Sequence, residues 1–180
     1  MKFFENRSFD DLCSLKVEEN ARFYCELEDY DQLNEIDSFL REKSIKHLVL
    51  GEGTNIVPIN NFEGLVIKNK LKGITEIDES FVEVSSGENW NEFVKWSLSE
   101  GKKGLENLAL IPGTVGAGPI QNIGAYGSEI SKFIEEISVF NFESSRVEKM
   151  KKDDIVFYRI EQLYPFPAKS LVKELKPYAK

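Results

Sequence analysis

Residues 104–130, GLENLALIPGTVGAGPIQNIGAYGSEI, constrain the fold of this chain more than any other segment. Seven of the chain's 12 glycines lie between Gly101 and Gly127, together with Pro112 and Pro119 and almost no charge. This glycine-rich segment has neither the 3.6-residue period of a helix nor the alternation of a strand. A loop this apolar is unfavourable in water, so we expect protein or ligand to cover it.

The composition is that of an ordinary globular protein. The chain has 180 residues, 41% hydrophobic and 30% charged, which suits one domain or two small ones. Its net charge of −8 argues against nucleic acid as a partner, because phosphate neutralisation needs a basic surface. No apolar run is long enough to cross a bilayer, no signal-peptide core is present, and Cys13 and Cys25 lack metal-binding spacing. We therefore expect a cytoplasmic protein without membrane or metal partners, whose oligomeric state stays open.

Apolar periodicity predicts an α+β chain. Strands are expected at 21–29, 45–50, 64–69 and 81–86, and a hairpin at 133–142 and 145–150. A helix should follow the first strand, with one apolar face formed by Leu33, Ile36, Phe39 and Leu40. Asn89 is expected to cap a second helix. For the end of the chain we predict a strand at 153–160 and a closing helix at 167–180.

Two glycines that directly follow a buried strand, Gly51 and Gly53 in LVLGEGTNIV, are typical of a phosphate-binding turn. The dinucleotide fingerprint G-x-G-x-x-G is incomplete, because its third position is Ile56 and Pro58 prevents the helix that would hold a pyrophosphate. One interpretation is an ordinary tight turn. The other is a nest of backbone N–H groups that binds an anion with help from neighbouring polar side chains.

The glycine-rich segment also has two interpretations. One is a buried structural crossover. The other is a cofactor site, because glycine lets the backbone approach a flat or phosphorylated ligand and proline keeps the loop stiff. Residues 121–127, QNIGAYG, add amide groups and one aromatic side chain. Together with the turn after residue 50, this pattern favours a large planar cofactor with a pyrophosphate tail.

LGEGTNIV, followed later by GLENLALIPGTVGAGPIQNIGAYG, resembles the UDP-N-acetylenolpyruvoylglucosamine reductases, and the resemblance covers residues 6–152. It implies the FAD-binding fold of the vanillyl-alcohol-oxidase type, with a small βαβ subdomain at 1–70 and a larger α+β subdomain at 71–152. It also implies FAD and NADPH as cofactors. The implied substrate is a small-molecule UDP-sugar, which is reduced to UDP-N-acetylmuramate for peptidoglycan synthesis and cell-wall biogenesis.

The resemblance further implies which residues surround FAD. Around the pyrophosphate it places Gly51, Glu52, Gly53, Thr54 and Asn55. Around the flavin and the rest of the cofactor it places Ile111, Pro112, Gly113, Thr114, Val115, Gly116, Ala117, Gly118, Gln121, Asn122, Gly124, Ala125, Tyr126 and Gly127. A flavin bound there would cover the apolar segment.

The chain departs from the family at both ends. Near the N-terminus, LCSLKV at 12–17 stands where the family has an Asn-Thr-(aromatic or Leu)-Gly run. Residues 153–180 do not continue into the family's substrate-binding domain. Instead, RIEQLYPFP resembles a C-terminal stretch of the thiamine-dependent component of 2-oxoglutarate dehydrogenase. The chain therefore looks like a truncated reductase joined to a foreign strand-helix tail, 153–180.

Tyr158 and Arg159 fall where the family has a substrate-binding tyrosine and a catalytic arginine, although the preceding family glycine is Phe157 here. The alternative is that this match is a coincidence within the foreign tail. Three functions stay open: a reductase, an FAD-binding module without catalysis, and an inactive fusion product whose FAD site is not formed.

Overall fold

The computed structural model describes residues 1–157 and the backbone of residues 170–177. Its helices and strands are, in chain order, β1 (Phe4–Ser8), β2 (Asn20–Leu27), α1 (Gln32–Lys43), β3 (Lys46–Leu50), β4 (Phe62–Asn69), β5 (Ile74–Glu76), β6 (Val82–Ser85), α2 (Trp90–Ser99), α3 (Ala117–Gln121), β7 (Gly124–Ala125), β8 (Ser128–Glu129), β9 (Ile134–Asn141), β10 (Arg146–Lys151) and β11 (Ser170–Pro177). Short 3-10 turns lie at Phe9–Asp11, Glu106–Leu108, Ile130–Lys132 and Lys152–Asp154.

The first sheet has the strand order β1-β2-β4-β3. Strand β1 is antiparallel to β2, whereas β2 and β3 both run parallel to β4. Because parallel strands need a crossover between them, α1 connects β2 to β3 across one face of the sheet. The carboxyl ends of β2, β3 and β4 consequently meet at one edge, and the first glycine turn lies directly after β3.

Helix α1 buries the apolar stripe that its sequence predicts. Leu33, Ile36 and Leu40 are buried in one cluster with residues of β2 and β4, and each such side chain contributes roughly 1.5–3 kcal/mol. Phe39 stacks on Phe3 with a 3.9 Å separation between ring centroids. The helix ends at Lys43, because the left-handed backbone of the following Ser44 (φ 50°) stops the helical hydrogen-bonding pattern.

The second sheet has the strand order β10-β9-β11-β6-β5, and its neighbouring strands are all antiparallel. Helix α2 covers this sheet with its buried Trp90, Phe93 and Val94. The side chain of Asn89 caps the helix by accepting a hydrogen bond of 2.9 Å from the Glu92 N–H. The predicted cap at Asn89 is therefore confirmed.

The two sheets pack against each other. Phe140, near the end of β9, and Phe142, directly after β9, belong to the core cluster of the first sheet. The hydroxyl groups of Tyr30 and Ser85 are hydrogen-bonded at 3.0 Å, which joins the start of α1 to β6. The relative position of the two sheets is thus set by apolar contacts and by a polar one.

The predictions for residues 1–152 agree with these elements, but those for the end of the chain are wrong. Residues 152–154 form a 3-10 turn and residues 155–157 are not in a strand, while 158–160 lie outside the described residues. The predicted closing helix at 167–180 is instead strand β11 at 170–177.

The reason for the wrong helix prediction is tertiary. Leu171, Val172 and Leu175 have a spacing that also fits a helix, and short segments with such patterns are ambiguous. The edges of β6 and β9 both carry backbone groups that need hydrogen-bond partners, and β11 supplies them by pairing with both strands. Strand β11 therefore lies in the second sheet between β9 and β6.

Candidate active site

The 51–55 loop turns sharply after β3 and packs directly on the N-terminal segment. Gly53 has a left-handed backbone with φ of 73°, and a Cβ atom there would lie 2.0 Å from the Leu12 carbonyl oxygen. The Ser14 N–H donates a hydrogen bond of 3.0 Å to the Gly53 carbonyl. Only glycine allows both the left-handed backbone and the close approach of the Leu12 carbonyl at this position. The contact involves the 12–17 segment, where the sequence departs from the family pattern.

The backbone N–H groups of residues 52–55 have no protein partners in the described part of the chain. No described residue accepts a hydrogen bond from the N–H groups of residues 52–55. Successive unpaired N–H groups in a turn form a concave, positively polarised surface that attracts anions. This geometry supports the anion-nest interpretation over an ordinary tight turn.

The glycine-rich segment packs closely on the turn that precedes α2. The N–H groups of Val115 and Gly116 donate to the carbonyls of Glu88 and Ser86, both at 2.9 Å. A Cβ atom at Gly116 would lie 2.5 Å from the Cβ of Ser86, so glycine permits this approach. The segment is therefore an ordered loop anchored on the second sheet, with the one-turn helix α3 in its middle.

The 51–55 loop and the glycine-rich segment meet. The Asn55 amide donates a hydrogen bond of 3.1 Å to the Gln121 side-chain oxygen. A Cβ atom at Gly51 would lie 2.6 Å from the Thr114 hydroxyl oxygen. The sequence predicts two glycine sites far apart in the chain, and the fold brings them to within contact distance.

A cleft of about 120 Å³ lies where these loops meet. Eleven of the predicted site residues line it: Gly51, Glu52, Gly53, Thr54, Asn55, Pro112, Gly113, Thr114, Ala117, Gly118 and Gln121. The sequence interpretation missed six further lining residues: Val49, Leu50, Ile56, Trp90, Ile120 and Ile123. Val49 and Leu50 could have been inferred as the end of the strand before the turn, whereas Trp90 comes to the cleft only through the packing of α2.

The remaining predicted residues lie outside the cleft lining, and they are Ile111, Val115, Gly116, Asn122, Gly124, Ala125, Tyr126 and Gly127. Val115 is fully buried in the core. Tyr126, at the tip of the β7–β8 hairpin, is 90% exposed. The predicted substrate-binding Tyr158 and catalytic Arg159 lie outside the described residues.

The glycine-rich segment carries three exposed apolar side chains. Ile120 is among the residues that line the cleft, and Tyr126 and Leu110 belong to the same glycine-rich segment. All three are exposed, with Leu110 at 80%.

Opposite charges lie beside the 51–55 loop. The Asn89 amide donates a hydrogen bond of 2.5 Å to the Glu52 carboxylate. Burial lowers the pKa of the Lys68 ammonium group, and the negative charge of Glu52 acts in the opposite direction.

The described residues contain no cluster of three or more His, Cys, Asp or Glu that could hold a metal ion. None of the described helices has the length and apolar character that a membrane span requires.

The fold and this cleft define a flavin-binding class of protein. Residues 21–149 match the family described as FAD binding domain, which is more than half of the chain. The chain belongs to this FAD binding domain family. The fold is the FAD-binding fold of the vanillyl-alcohol-oxidase type, in agreement with the predicted α+β class.

Particular relatives can also be named. The chain is 37% identical over 160 residues to the UDP-N-acetylenolpyruvoylglucosamine reductase of Photobacterium profundum, covering 87% of this chain and 46% of that protein. It is 53% identical over 114 residues to the corresponding reductase of Paraburkholderia phymatum, covering 61% of this chain and 33% of that protein. The chain spans about half, or less, of the length of these curated relatives.

Solved structures show the same fold. The reductase from Thermus caldophilus superposes with a TM-score of 0.78 at 22% identity, covering 100% of this chain and 63% of that one. An alkyldihydroxyacetonephosphate synthase superposes with a TM-score of 0.66 at 10% identity, covering 92% of this chain and 32% of that one.

A second family match covers the end of the chain. Residues 139–180 match the family described as 2-oxoglutarate dehydrogenase C-terminal. The match begins within β9, earlier than the predicted boundary at residue 153, and it includes β10 and β11. A segment that resembles another enzyme thus supplies β10, β11 and the end of β9 to the second sheet.

The residues that line the cleft fit one part of FAD, its diphosphate. The cleft is smaller than the roughly 300–1,000 Å³ of a pocket that encloses a whole ligand, so it suits the diphosphate and its immediate neighbours. Unpaired N–H groups and missing Cβ atoms are what a diphosphate needs, since they give charge complementarity and close approach.

Proposed function

We propose that this chain binds FAD in the cleft and forms the FAD-binding part of an NADPH-dependent reductase. The proposed reaction converts UDP-N-acetylenolpyruvoylglucosamine to UDP-N-acetylmuramate in cytoplasmic peptidoglycan synthesis. One observation carries the proposal: two glycine loops that are distant in sequence converge on one cleft with unpaired N–H groups. The identity to reductases of this name supports the substrate assignment.

The residues that would bind FAD come from both of the subdomains proposed at 1–70 and 71–152. The N–H groups of residues 52–55 would bind the diphosphate, and the Asn55–Gln121 hydrogen bond would hold both loops in place. Residues of the glycine-rich segment would support the flavin and exclude water from one of its faces. The chemistry that bound FAD supplies in such enzymes is hydride transfer.

Arg159 and Tyr158 are the residues proposed to act on the substrate. The Arg159 guanidinium would stabilise negative charge that develops on the substrate, an electrostatic role that arginine performs well in a water-poor site. Tyr158 would bind the substrate beside it. Both residues belong to the segment that matches the 2-oxoglutarate dehydrogenase family.

A second candidate function is FAD binding without turnover. The observation that favours it is the placement of the proposed catalytic arginine and of β11 within a segment that matches another enzyme family. In this case the cleft would still hold flavin, because both glycine loops lie before residue 139.

The visible absorption spectrum of the purified chain tests the proposal, followed by titration with FAD and then by NADPH oxidation. We expect stoichiometric flavin binding, and NADPH oxidation that depends on UDP-N-acetylenolpyruvoylglucosamine. Arg159→Ala should lower this substrate-dependent rate by at least about tenfold while flavin binding stays unchanged. Flavin binding without substrate-dependent oxidation would favour the second candidate. A colourless protein that does not bind added FAD would contradict both.

A further inference from the structure

Asn89 lies at the junction of three parts of the chain. Its carbonyl accepts the Phe93 N–H at 3.0 Å, which begins the hydrogen-bonding pattern of α2. Its backbone also forms an isolated antiparallel bridge with Thr114 of the glycine-rich segment. Its side-chain amide donates a hydrogen bond of 2.5 Å to Glu52 of the 51–55 loop. One residue therefore joins α2 to both of the loops that line the cleft.

The hydrogen bonds fix the orientation of the Asn89 amide. Its Oδ1 accepts the Glu92 N–H at 2.9 Å, and a backbone N–H can only donate. The Nδ2 is consequently the group that faces the Glu52 carboxylate, which is an acceptor. Both ends of the amide are used. An aspartate at this position could keep the helix cap, but it could not donate to Glu52.

The 51–55 loop needs anchors of this kind. The N–H groups of residues 52–55 can bind a diphosphate only while the loop holds them in one concave arrangement. The Gly53 backbone and the Asn55 side chain are each held by a hydrogen bond to another segment. Asn89 supplies a third anchor, at the Glu52 side chain. Because this hydrogen bond involves a charged group, it belongs to the stronger class.

We propose that Asn89 is a positioning residue for the anion nest: it holds Glu52, and through Glu52 it keeps the N–H groups of residues 52–55 in the arrangement that binds a diphosphate ester. Asn89 is not one of the described residues that line the cleft, so it acts through the loop. The inference rests on the proposed FAD site, and it gives a binding role to a residue that the sequence predicts only as a helix cap.

An exchange of the donor and the acceptor tests this role. Asn89→Asp keeps the helix cap but sets two carboxylates against each other, so FAD binding should weaken about tenfold. Glu52→Gln alone should bind FAD within about threefold of the original chain, because its amide oxygen still accepts from Asn89. Adding Glu52→Gln to Asn89→Asp should restore affinity to within about threefold, because the glutamine amide can donate to the new carboxylate. The double variant has the same net charge as the original chain.

Two further variants separate the hydrogen bond from other effects. Asn89→Ser keeps a capping oxygen but is too short to reach Glu52, so FAD binding should weaken by about threefold or more, and Glu52→Gln should not restore it. Asn91→Asp is the matched control, because it adds the same charge to the first turn of α2 and keeps the oxygen that accepts the Leu110 N–H. It should change affinity less than about twofold. Thermal melts without ligand show whether each variant is folded.

Two results would overturn the proposal. One is an equal loss for Asn89→Asp in the original chain and in the Glu52→Gln background, which would mean that the added charge acts on the ligand independently of Glu52. The other is a loss no larger than that of Asn91→Asp. If Asn89→Asp does not fold, an unchanged FAD affinity of Asn89→Ser overturns the proposal instead.

Inorganic pyrophosphate separates this inference from the proposed function. If the chain binds pyrophosphate but not FAD, the proposed FAD function fails and the Asn89 comparison is made with pyrophosphate. If the chain binds neither, no diphosphate site exists and both proposals are overturned.

Discussion

Gly53 and Gly101 have the same backbone torsion in different surroundings. Both have φ of 73°, a left-handed conformation that is unfavourable for any residue with a Cβ atom. Around Gly101 nothing lies within 4 Å of a Cβ position, whereas at Gly53 the Leu12 carbonyl would be 2.0 Å away. A comparison of the two glycines therefore separates the energetic cost of a left-handed backbone from the cost of steric overlap.

Alanine at these two positions should have different effects. Gly101→Ala should lower the free energy of unfolding by about 1–2 kcal/mol, the cost of left-handed backbone. Gly53→Ala should lower it further and also abolish FAD binding, because the 51–55 loop must move away from Leu12. Urea unfolding and FAD titration measure both effects. Equal stability losses, or full FAD binding by Gly53→Ala, would contradict this account of the loop.

At the scale of elements, α1 is fastened to the β9–β10 turn by one arginine. The Arg41 guanidinium donates to the Asp37 carboxylate at 3.0 Å, to the Phe142 carbonyl at 2.9 Å and to the Ser145 hydroxyl at 2.7 Å. The Ser145 hydroxyl in turn donates to Asp37 at 2.7 Å. Since α1 packs on the first sheet and β9 belongs to the second, this network links the two sheets.

Arg41→Ala should lower the free energy of unfolding by about 2 kcal/mol, because the largely buried Asp37 carboxylate loses its charged donor. The matched control is Lys43→Ala on the same helix. Lys43 pairs with its exposed neighbour Glu42 and lies 6.0 Å from the centre of the Phe39 ring, so its loss should stay within about 1 kcal/mol. Chemical denaturation of both variants measures the difference. Indistinguishable midpoints would show that the network does not stabilise the contact between the sheets.

At the scale of the whole molecule, the cleft exists only while both sheets are in place. The 51–55 loop extends from the first sheet, and its partners Thr114, Asn89 and Gln121 belong to the second part of the chain. A ligand bound there contacts both parts and binds only the folded state. FAD should consequently stabilise the complete fold and not one subdomain alone.

FAD at 100 times its dissociation constant should raise the free energy of unfolding by about 2.7 kcal/mol, in a single cooperative transition. Differential scanning calorimetry with and without FAD measures this shift. The Gly53→Ala variant is the control, since it should show no shift at the same FAD concentration. An unchanged melting temperature for the original chain would argue against a site shared by the two sheets.

Much of this molecule follows from the sequence because its signals are local. The helix stripe at Leu33, Ile36 and Leu40, the cap at Asn89 and the β9–β10 hairpin depend on residues close together in the chain. The turn at Gly51 and Gly53 after a buried strand is likewise a local signal for an anion site, and the long glycine motif adds the family resemblance.

Only the tertiary structure decided the rest. It brought Thr114 and Gln121 to the 51–55 loop and added Trp90 to the cleft, and it placed Tyr126 in solvent. It also made residues 170–177 a strand, although their apolar spacing predicts a helix. The physical reason is the same in each case. Contacts between distant segments, and hydrogen bonds that a strand edge requires, do not depend on local periodicity, so a short segment takes the conformation that satisfies its neighbours in space.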